Sequence, residues 1–165
     1  MRTTIGLVGC GRWGTVHHAT LRSLKEQGHL DRLVVCDIDE HALEGVVADR
    51  HYRSIEEMLA QEQLAGVAIV TPPETHLALA RQVVMADLPV FVEKPLGANS
   101  KEEMDFLANL PKNATMMVGY LLRHHSCTSN CCGVTTGLCR HRHERSQPAK
   151  HLGAIVAACA CTRQG

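Results

Sequence analysis

Aromatic residues and net charge are what this sequence has least of. Its 165 residues include one Trp, two Tyr and two Phe, and its formal charge at pH 7 is zero. A neutral chain gives no electrostatic reason to expect nucleic acid or an anionic membrane as a partner, so we expect neither. Because aromatics are scarce, aliphatic side chains must form the core. An apolar fraction of 45% is sufficient for one domain of ordinary size.

Long apolar segments are also lacking. The longest late run, residues 153–161, is far shorter than the roughly 20 residues that a membrane-spanning helix needs. The first residues do not show a basic segment followed by an apolar one, which is the pattern of a signal peptide. We therefore expect a cytoplasmic protein with reduced thiols.

A glycine-rich loop directly after the first apolar run organises the rest of the chain. Residues 5–8 predict a buried strand, and a G-x-G-x-x-G motif with helical periodicity follows it. In this context the motif indicates dinucleotide binding, with the pyrophosphate at the N-terminus of the helix. The residues that we assign to this part of the site are Gly9, Gly11, Arg12, Trp13 and Gly14.

A second predicted strand, residues 33–37, ends in Asp37. A carboxylate at this point accepts hydrogen bonds from the ribose hydroxyls of adenosine and repels a 2′-phosphate. We therefore predict NAD as the cofactor, with Asp39 as a weaker candidate for the same contact. NADP is the alternative, because Arg32 and Arg50 are cations that would reach a phosphate. A solvated acid at a strand end is the purely structural interpretation.

The following segments alternate between apolar strands and amphipathic helices. Strands are predicted at 66–70, 89–92 and 115–119, helices at 41–49, 54–59, 72–86 and 100–110, and helix caps at Ser54, Thr71 and Ser100. This alternation predicts an α/β fold with a doubly wound, Rossmann-like parallel sheet of six strands. Ligands bind such a sheet at the carboxyl ends of its first and fourth strands. Thr71, Pro72, Glu93 and Lys94 each follow a predicted strand.

Three stretches resemble the Gfo/Idh/MocA family of oxidoreductases. They are Thr71-Pro72-Pro73-Glu74-Thr75-His76, Val90-Phe91-Val92-Glu93-Lys94-Pro95-Leu96 and Val118-Gly119-Tyr120. The resemblance covers about residues 3–125 and implies an N-terminal domain that binds NAD(P). It also implies that the lysine of the Glu-Lys-Pro motif, here Lys94, lies beside the nicotinamide and the substrate. Thr71, Pro72, His76 and Glu93 are assigned with Lys94 to the cofactor site.

The predicted catalytic residue is Lys94. Hydride removal from a carbinol carbon requires the hydroxyl proton to leave or the developing oxyanion to be stabilised, and a desolvated lysine beside the nicotinamide can do either. Pro95 restricts Lys94 to an extended backbone, which helps to aim its side chain. The structural interpretation is an exposed charge paired with Glu93. For His17, His18 and His76 we favour packing or capping over catalysis.

The resemblance implies an NAD(P)-dependent oxidoreductase that acts on a sugar, nucleotide sugar or polyol. Full-length relatives are expected to be homo-oligomers. Family members continue into an α+β domain that shapes the substrate site and carries an Asp-x-x-x-His histidine, and nothing after residue 126 resembles it. The chain therefore looks truncated and its own activity is doubtful. A nucleotide-binding regulatory module without turnover is the alternative function.

The amino-acid composition of the chain changes near His125. Of its eight cysteines only Cys10 and Cys36 precede this point, and Glu144 is the only acid after Asp105. We therefore divide the chain into a dinucleotide-binding domain, residues 1–125, and an irregular Cys/His-rich tail.

The tail, residues 126–165, is predicted not to be a folded domain. We interpret it as out-of-frame translation of a gene whose true frame encodes the missing domain. Zinc is the alternative, because the tail contains ligand-type residues: Cys127, Cys131, Cys132, Cys139, His141 and His143. Their spacing matches no paired C-x-x-C arrangement, so we predict no metal site. A disulfide scaffold is the remaining alternative.

Overall fold

The computed structural model describes residues 3–120 as a parallel sheet with helices on both faces. The strands are β1 (Thr4–Val8), β2 (Arg32–Cys36), β3 (Arg50–Tyr52), β4 (Gly66–Ile69), β5 (Val90–Val92) and β6 (Met116–Val118). The helices are α1 (Arg12–Glu26), α2 (Glu40–Leu43), α3 (Ile55–Gln61), α4 (Pro73–Met85) and α5 (Ser100–Ala108). The strand order is β3-β2-β1-β4-β5-β6, and every pairing is parallel. The predicted doubly wound fold is confirmed.

Successive residues of the central strands bury opposite faces of the sheet. In β2, Leu33 and Val35 belong to the apolar cluster that contains Leu21 of α1. Val34 and Cys36 belong to a second cluster, which contains side chains of α3, α4 and α5. Because both faces are covered, the strands are apolar throughout rather than alternating in polarity.

The crevice of the sheet lies between β1 and β4, which are neighbours although two strands intervene in sequence. The crossover that leaves β1 leads through α1 to β2 on one side of this point, and the crossover that leaves β4 leads through α4 to β5 on the other side. The loops that follow β1 and β4 are therefore neighbours from which the chain turns to opposite faces of the sheet, which is the arrangement in which ligands bind such sheets.

The segment predicted as one helix over residues 41–49 is a short helix and a loop. Helix α2 ends at Leu43, and Gly45 adopts a φ of 72°. A left-handed residue cannot continue an α-helix, so the chain turns and enters β3. Val47, in the loop that follows, is 62% exposed.

Two predicted helix caps lie one residue away from the observed ones. Pro72, rather than Thr71, is the N-cap of α4, because a residue that precedes a proline is held extended and cannot be the first residue of the helix. For α5 the cap is Asn99, whose side chain accepts from Lys101 N–H. The predicted cap Ser54 is confirmed, since its hydroxyl accepts from Glu57 N–H.

The predicted tail and the zinc-ligand candidates lie outside residues 3–120, and so does the end of the predicted domain at residue 125. Within the described range, no helix is long and apolar enough to cross a membrane.

Candidate functional site

The three glycines of the G-x-G-x-x-G motif, Gly9, Gly11 and Gly14, face different surroundings. A Cβ atom on Gly9, whose φ is 94°, would lie 2.6 Å from the carbonyl oxygen of Val70. A Cβ on Gly14 would lie only 2.1 Å from the carbonyl oxygen of Gly9. A Cβ on Gly11, in contrast, would meet no atom of residues 3–120 within 4 Å. Gly9 and Gly14 are required by the fold itself, whereas Gly11 leaves space beside the backbone that a ligand can occupy.

The N-terminus of α1 is open to an anion. Its N-cap, Gly11, has no side chain to accept from the free N–H groups, and the first turn contains no acid. Helices α2, α3 and α5 are instead capped by the side chains of Asp39, Ser54 and Asn99. The uncapped end of α1 therefore keeps its free donors and the positive end of its dipole available for a phosphate group. Arg12 and Trp13 are exposed beside it.

Asp37 joins the end of β2 to the glycine loop. One carboxylate oxygen accepts from Cys10 N–H at 2.7 Å, and the other accepts from Asp39 N–H at 2.9 Å. Each oxygen of a carboxylate can accept a second hydrogen bond, so two acceptor positions remain for a pair of ribose hydroxyls. Asp39 caps α2, because its own carboxylate accepts from His41 N–H, and its assignment as the weaker candidate stays a prediction.

The arginines suggested for a 2′-phosphate lie at the wrong end of the sheet. Arg32 and Arg50 begin their strands, and both pair with the buried carboxylate of Glu62 at this amino edge. Arg53 is a cation at the carboxyl edge, beside the loop that follows β2, and no sequence pattern pointed to it. Its guanidinium donates to the carbonyl oxygen of Ile38 at 2.8 Å and pairs with Glu40 at 3.0 Å.

The Cys10 thiol within the glycine loop is buried. Burial, together with the nearby charge of Asp37, raises the pKa of Cys10 to about 12. A thiol that stays protonated at neutral pH is a poor nucleophile and a poor metal ligand. Within residues 3–120, no group of three or more His, Cys, Asp or Glu side chains could hold a metal ion.

The Glu-Lys-Pro turn at the end of β5 brings Lys94 to the glycine loop. The Lys94 ammonium lies 5.8 Å from the centre of the Trp13 ring, which is within range of a cation–π interaction. The backbone N–H of Lys94 donates to the carboxylate of Glu93. Lys94 itself is exposed, so the desolvation expected for a catalytic lysine is not supplied by the described part of the chain.

His76 contacts the turn that follows β4 and the turn that follows β5. Its ring is 1% exposed, with Nε2 at 2.7 Å from the carbonyl oxygen of Thr71 and Nδ1 at 2.8 Å from that of Pro95. Both nitrogens thus face the backbone of this domain, which agrees with a packing role. The assignment of Thr71, Pro72 and His76 as cofactor contacts stays a prediction.

His17 is buried, as expected for a packing residue, and it also makes a contact in this region that the sequence did not predict. It is 6% exposed, and its Nε2 lies 3.0 Å from the carboxylate of Glu93. The available signal was its spacing, because a residue four positions after Trp13 lies on the same face of a helix.

These features fit a dinucleotide. Three features lie along one edge of the sheet. They are open space at Gly11, an uncapped helix end and a carboxylate with free acceptor positions. They match the needs of a pyrophosphate and of a ribose that lacks a 2′-phosphate.

The comparisons with known proteins agree with this geometry. The rhizopine catabolism protein MocA of Rhizobium meliloti is 29% identical over 103 residues, which cover 61% of this chain and 32% of the relative. Inositol 2-dehydrogenase of the same organism is 30% identical over 125 residues, covering 73% of this chain and 36% of the enzyme. The chain therefore spans about a third of the length of the curated relatives it matches.

A solved structure of a dehydrogenase also resembles this chain. The WlbA dehydrogenase from Chromobacterium violaceum, crystallised with NADH and UDP-GlcNAcA, superposes with a TM-score of 0.66 at 26% identity. The match covers 78% of this chain and 38% of that one. The family model described as an oxidoreductase family with an NAD-binding Rossmann fold matches residues 3–120, which is the whole described range. The chain belongs to this family, the Gfo/Idh/MocA oxidoreductases.

Proposed function

We propose that residues 3–120 are the cofactor-binding domain of an NAD-dependent dehydrogenase that acts on a hydroxyl of a sugar, nucleotide sugar or polyol. The observation that carries this proposal is the position of Lys94, 5.8 Å from the Trp13 ring of the glycine loop. Lys94 thus lies at the same edge as the dinucleotide-binding features, which supports a role of its side chain in proton transfer or charge stabilisation. The relatives named for inositol oxidation and for a bound nucleotide sugar support the substrate class.

The residues of the site have distinct roles in this proposal. The N–H groups at the start of α1 bind the pyrophosphate, and Asp37 accepts from the adenosine ribose. A bound nicotinamide supplies the hydride chemistry. Lys94 either takes up the proton of the substrate hydroxyl as the neutral amine or, as the ammonium, stabilises the negative charge that develops on the hydroxyl oxygen. We further propose a small-molecule substrate and a homo-oligomeric full-length protein.

Two measurements test this function. The first is binding of NADH to the chain, followed by energy transfer from Trp13, which is the single tryptophan of the sequence. The second is turnover of inositol by a chimera in which residues 3–120 replace the matching domain of the Rhizobium meliloti inositol 2-dehydrogenase. We expect micromolar binding and measurable turnover. NADH binding by a folded chimera without turnover would favour a regulatory module, and absence of NADH binding would refute both functions.

The cofactor preference depends on Asp37. Replacing Asp37 with alanine removes a charged acceptor, whose loss costs about 1.5–3 kcal/mol, and should weaken NADH binding roughly 10- to 100-fold. NADPH binding should change much less, because the lost charge would otherwise repel the 2′-phosphate. Isothermal titration calorimetry with both cofactors measures the two affinities on the same preparation.

Asp39→Ala is the matched control for this prediction. Asp39 lies in the same loop but caps α2, so its removal should leave the ratio of NADH to NADPH affinity unchanged. The alanine variant of Asp37 also loses the hydrogen bond from Cys10 N–H. If that loss damaged the glycine loop, the affinities for NADH and NADPH would fall equally. A wild-type preference for NADPH would show that Asp37 has been assigned wrongly and would direct attention to Arg53.

A further inference from the structure

We propose that Trp13 and His17 position Lys94. Both residues lie on one face of α1, and they contact Glu93 and Lys94 in the turn that follows β5. The two residues are one helical turn apart and meet two consecutive residues of the chain. Trp13 contacts the Lys94 ammonium, and His17 contacts the Glu93 carboxylate. The inference rests on the proposed function, since it concerns how the lysine is aimed at the nicotinamide site.

The contact between His17 and Glu93 is largely shielded from solvent. The two side chains are 8% and 13% exposed, and His17 Nε2 lies 3.0 Å from Glu93 Oε1. An ionised carboxylate can only accept, so Nε2 carries the proton and donates it. The imidazole also packs against the Phe91 ring, with 5.5 Å between the ring centres. The ring is therefore held by packing on one side and by a hydrogen bond on the other.

Glu93 connects His17 to the backbone of Lys94 by a second hydrogen bond. Its second oxygen, Oε2, accepts from Lys94 N–H at 2.8 Å. Burial by itself raises the pKa of Glu93, but the hydrogen bonds from His17 and from Lys94 N–H outweigh it and hold the pKa below its usual range. Glu93 is thus a carboxylate at neutral pH and can accept both hydrogen bonds at once.

The backbone is also fixed on the far side of Lys94. The carbonyl oxygen of Pro95 lies 2.8 Å from the Nδ1 atom of His76. With the residues before and after it held, the remaining freedom of Lys94 lies in its long side chain. The Trp13 ring restricts that freedom, although a cation–π contact at an exposed site is weak by itself. The two contacts of α1 therefore complement each other.

Packing alone does not account for His17. Its Nδ1 atom is buried and has no hydrogen-bond partner among residues 3–120. A buried polar atom without a partner is unfavourable, and an aliphatic side chain could fill this position without that cost. The feature that an aliphatic residue would lack is the donor to Glu93.

The test observes Lys94 directly in the cofactor-free chain. The sequence contains five lysines, at positions 25, 94, 101, 112 and 150, so a chain labelled with ¹³C at lysine Cε gives a small set of NMR signals. Lys94→Arg identifies the Lys94 signal. The Trp13 ring current should displace it, and its ¹³C relaxation should show less motion than that of the other lysines.

The decisive variants are a pair that differs by one methylene group. In His17→Gln the side-chain amide reaches the position of Nε2 and can donate to Glu93, whereas in His17→Asn it is too short. We expect His17→Asn to abolish the displacement of the Lys94 signal and raise its mobility to that of the other lysines. His17→Gln should retain both properties. His18→Asn, a change on the neighbouring face of α1, is the control and should leave Lys94 unaffected.

Trp13→Leu tests the second contact at an exposed position that the fold tolerates. It should raise the mobility of Lys94 while the other lysine signals stay in place. Unchanged Lys94 mobility in Trp13→Leu, or an unchanged Lys94 signal in folded His17→Asn, would overturn the proposal. If His17→Asn does not fold, loss of the Lys94 displacement in folded His17→Gln would overturn it as well. These readouts need no cofactor, so failure of the chain to bind NADH would refute the proposed function separately.

Discussion

Gly11→Ala is expected to leave the fold unchanged and to weaken NADH binding about 10- to 100-fold, the effect of 1–3 kcal/mol of overpacking. A methyl group at this position meets no atom of residues 3–120 within 4 Å, so the chain itself should tolerate it. The same methyl group would occupy the space into which the pyrophosphate must come. Urea unfolding and NADH titration measure the two consequences separately.

Gly14→Ala is the matched variant with the opposite outcome. Its methyl carbon would lie 2.1 Å from the carbonyl oxygen of Gly9, a contact that no side-chain rotation can relieve. The loop and α1 must move apart, which we expect to lower the free energy of unfolding by about 3 kcal/mol or more. NADH binding should be lost together with stability. A Gly14→Ala chain of wild-type stability, or an unstable Gly11→Ala chain, would contradict this division of roles.

The parts of the fold that the sequence predicted are those controlled by local pattern. The apolar strands and the strand–glycine–helix unit have characteristic periods and residue types, and the structure contains them in the predicted order. The errors also have local causes. Pro73 moves the cap of α4 from Thr71 to Pro72, and Gly45 ends the second helix early.

The parts that the sequence could not predict depend on contacts between distant residues. His17 and Glu93 are separated by 76 positions, so no local pattern connects them. The position of Arg53 beside Ile38 likewise follows from the pairing of β3 with β2, and β3 was not among the strands located in the sequence. Sequence reasoning identified the chemical groups of the site, but the sheet determines which of them meet.

Lys94→Ala is expected to reduce turnover by the inositol chimera about 10²- to 10⁴-fold, the usual contribution of a general acid or base. The affinity for NADH should change little, because the pyrophosphate and ribose contacts come from α1 and Asp37. A separation of this kind, with turnover lost and cofactor affinity kept, identifies a residue that acts on the reacting atoms. Lys101→Ala, which removes an exposed lysine of α5, is the control and should not affect turnover.

Lys94→Arg distinguishes between the two roles open to the lysine. Arginine keeps the positive charge but cannot give up its proton at any pH that the protein survives. If Lys94 stabilises the developing oxyanion by charge, the arginine variant should retain part of the turnover that alanine loses. If Lys94 takes up the hydroxyl proton, both variants should be equally inactive. Wild-type turnover in Lys94→Ala would remove the residue from the mechanism and leave Glu-Lys-Pro with a structural role, the turn that His17 and His76 hold in place.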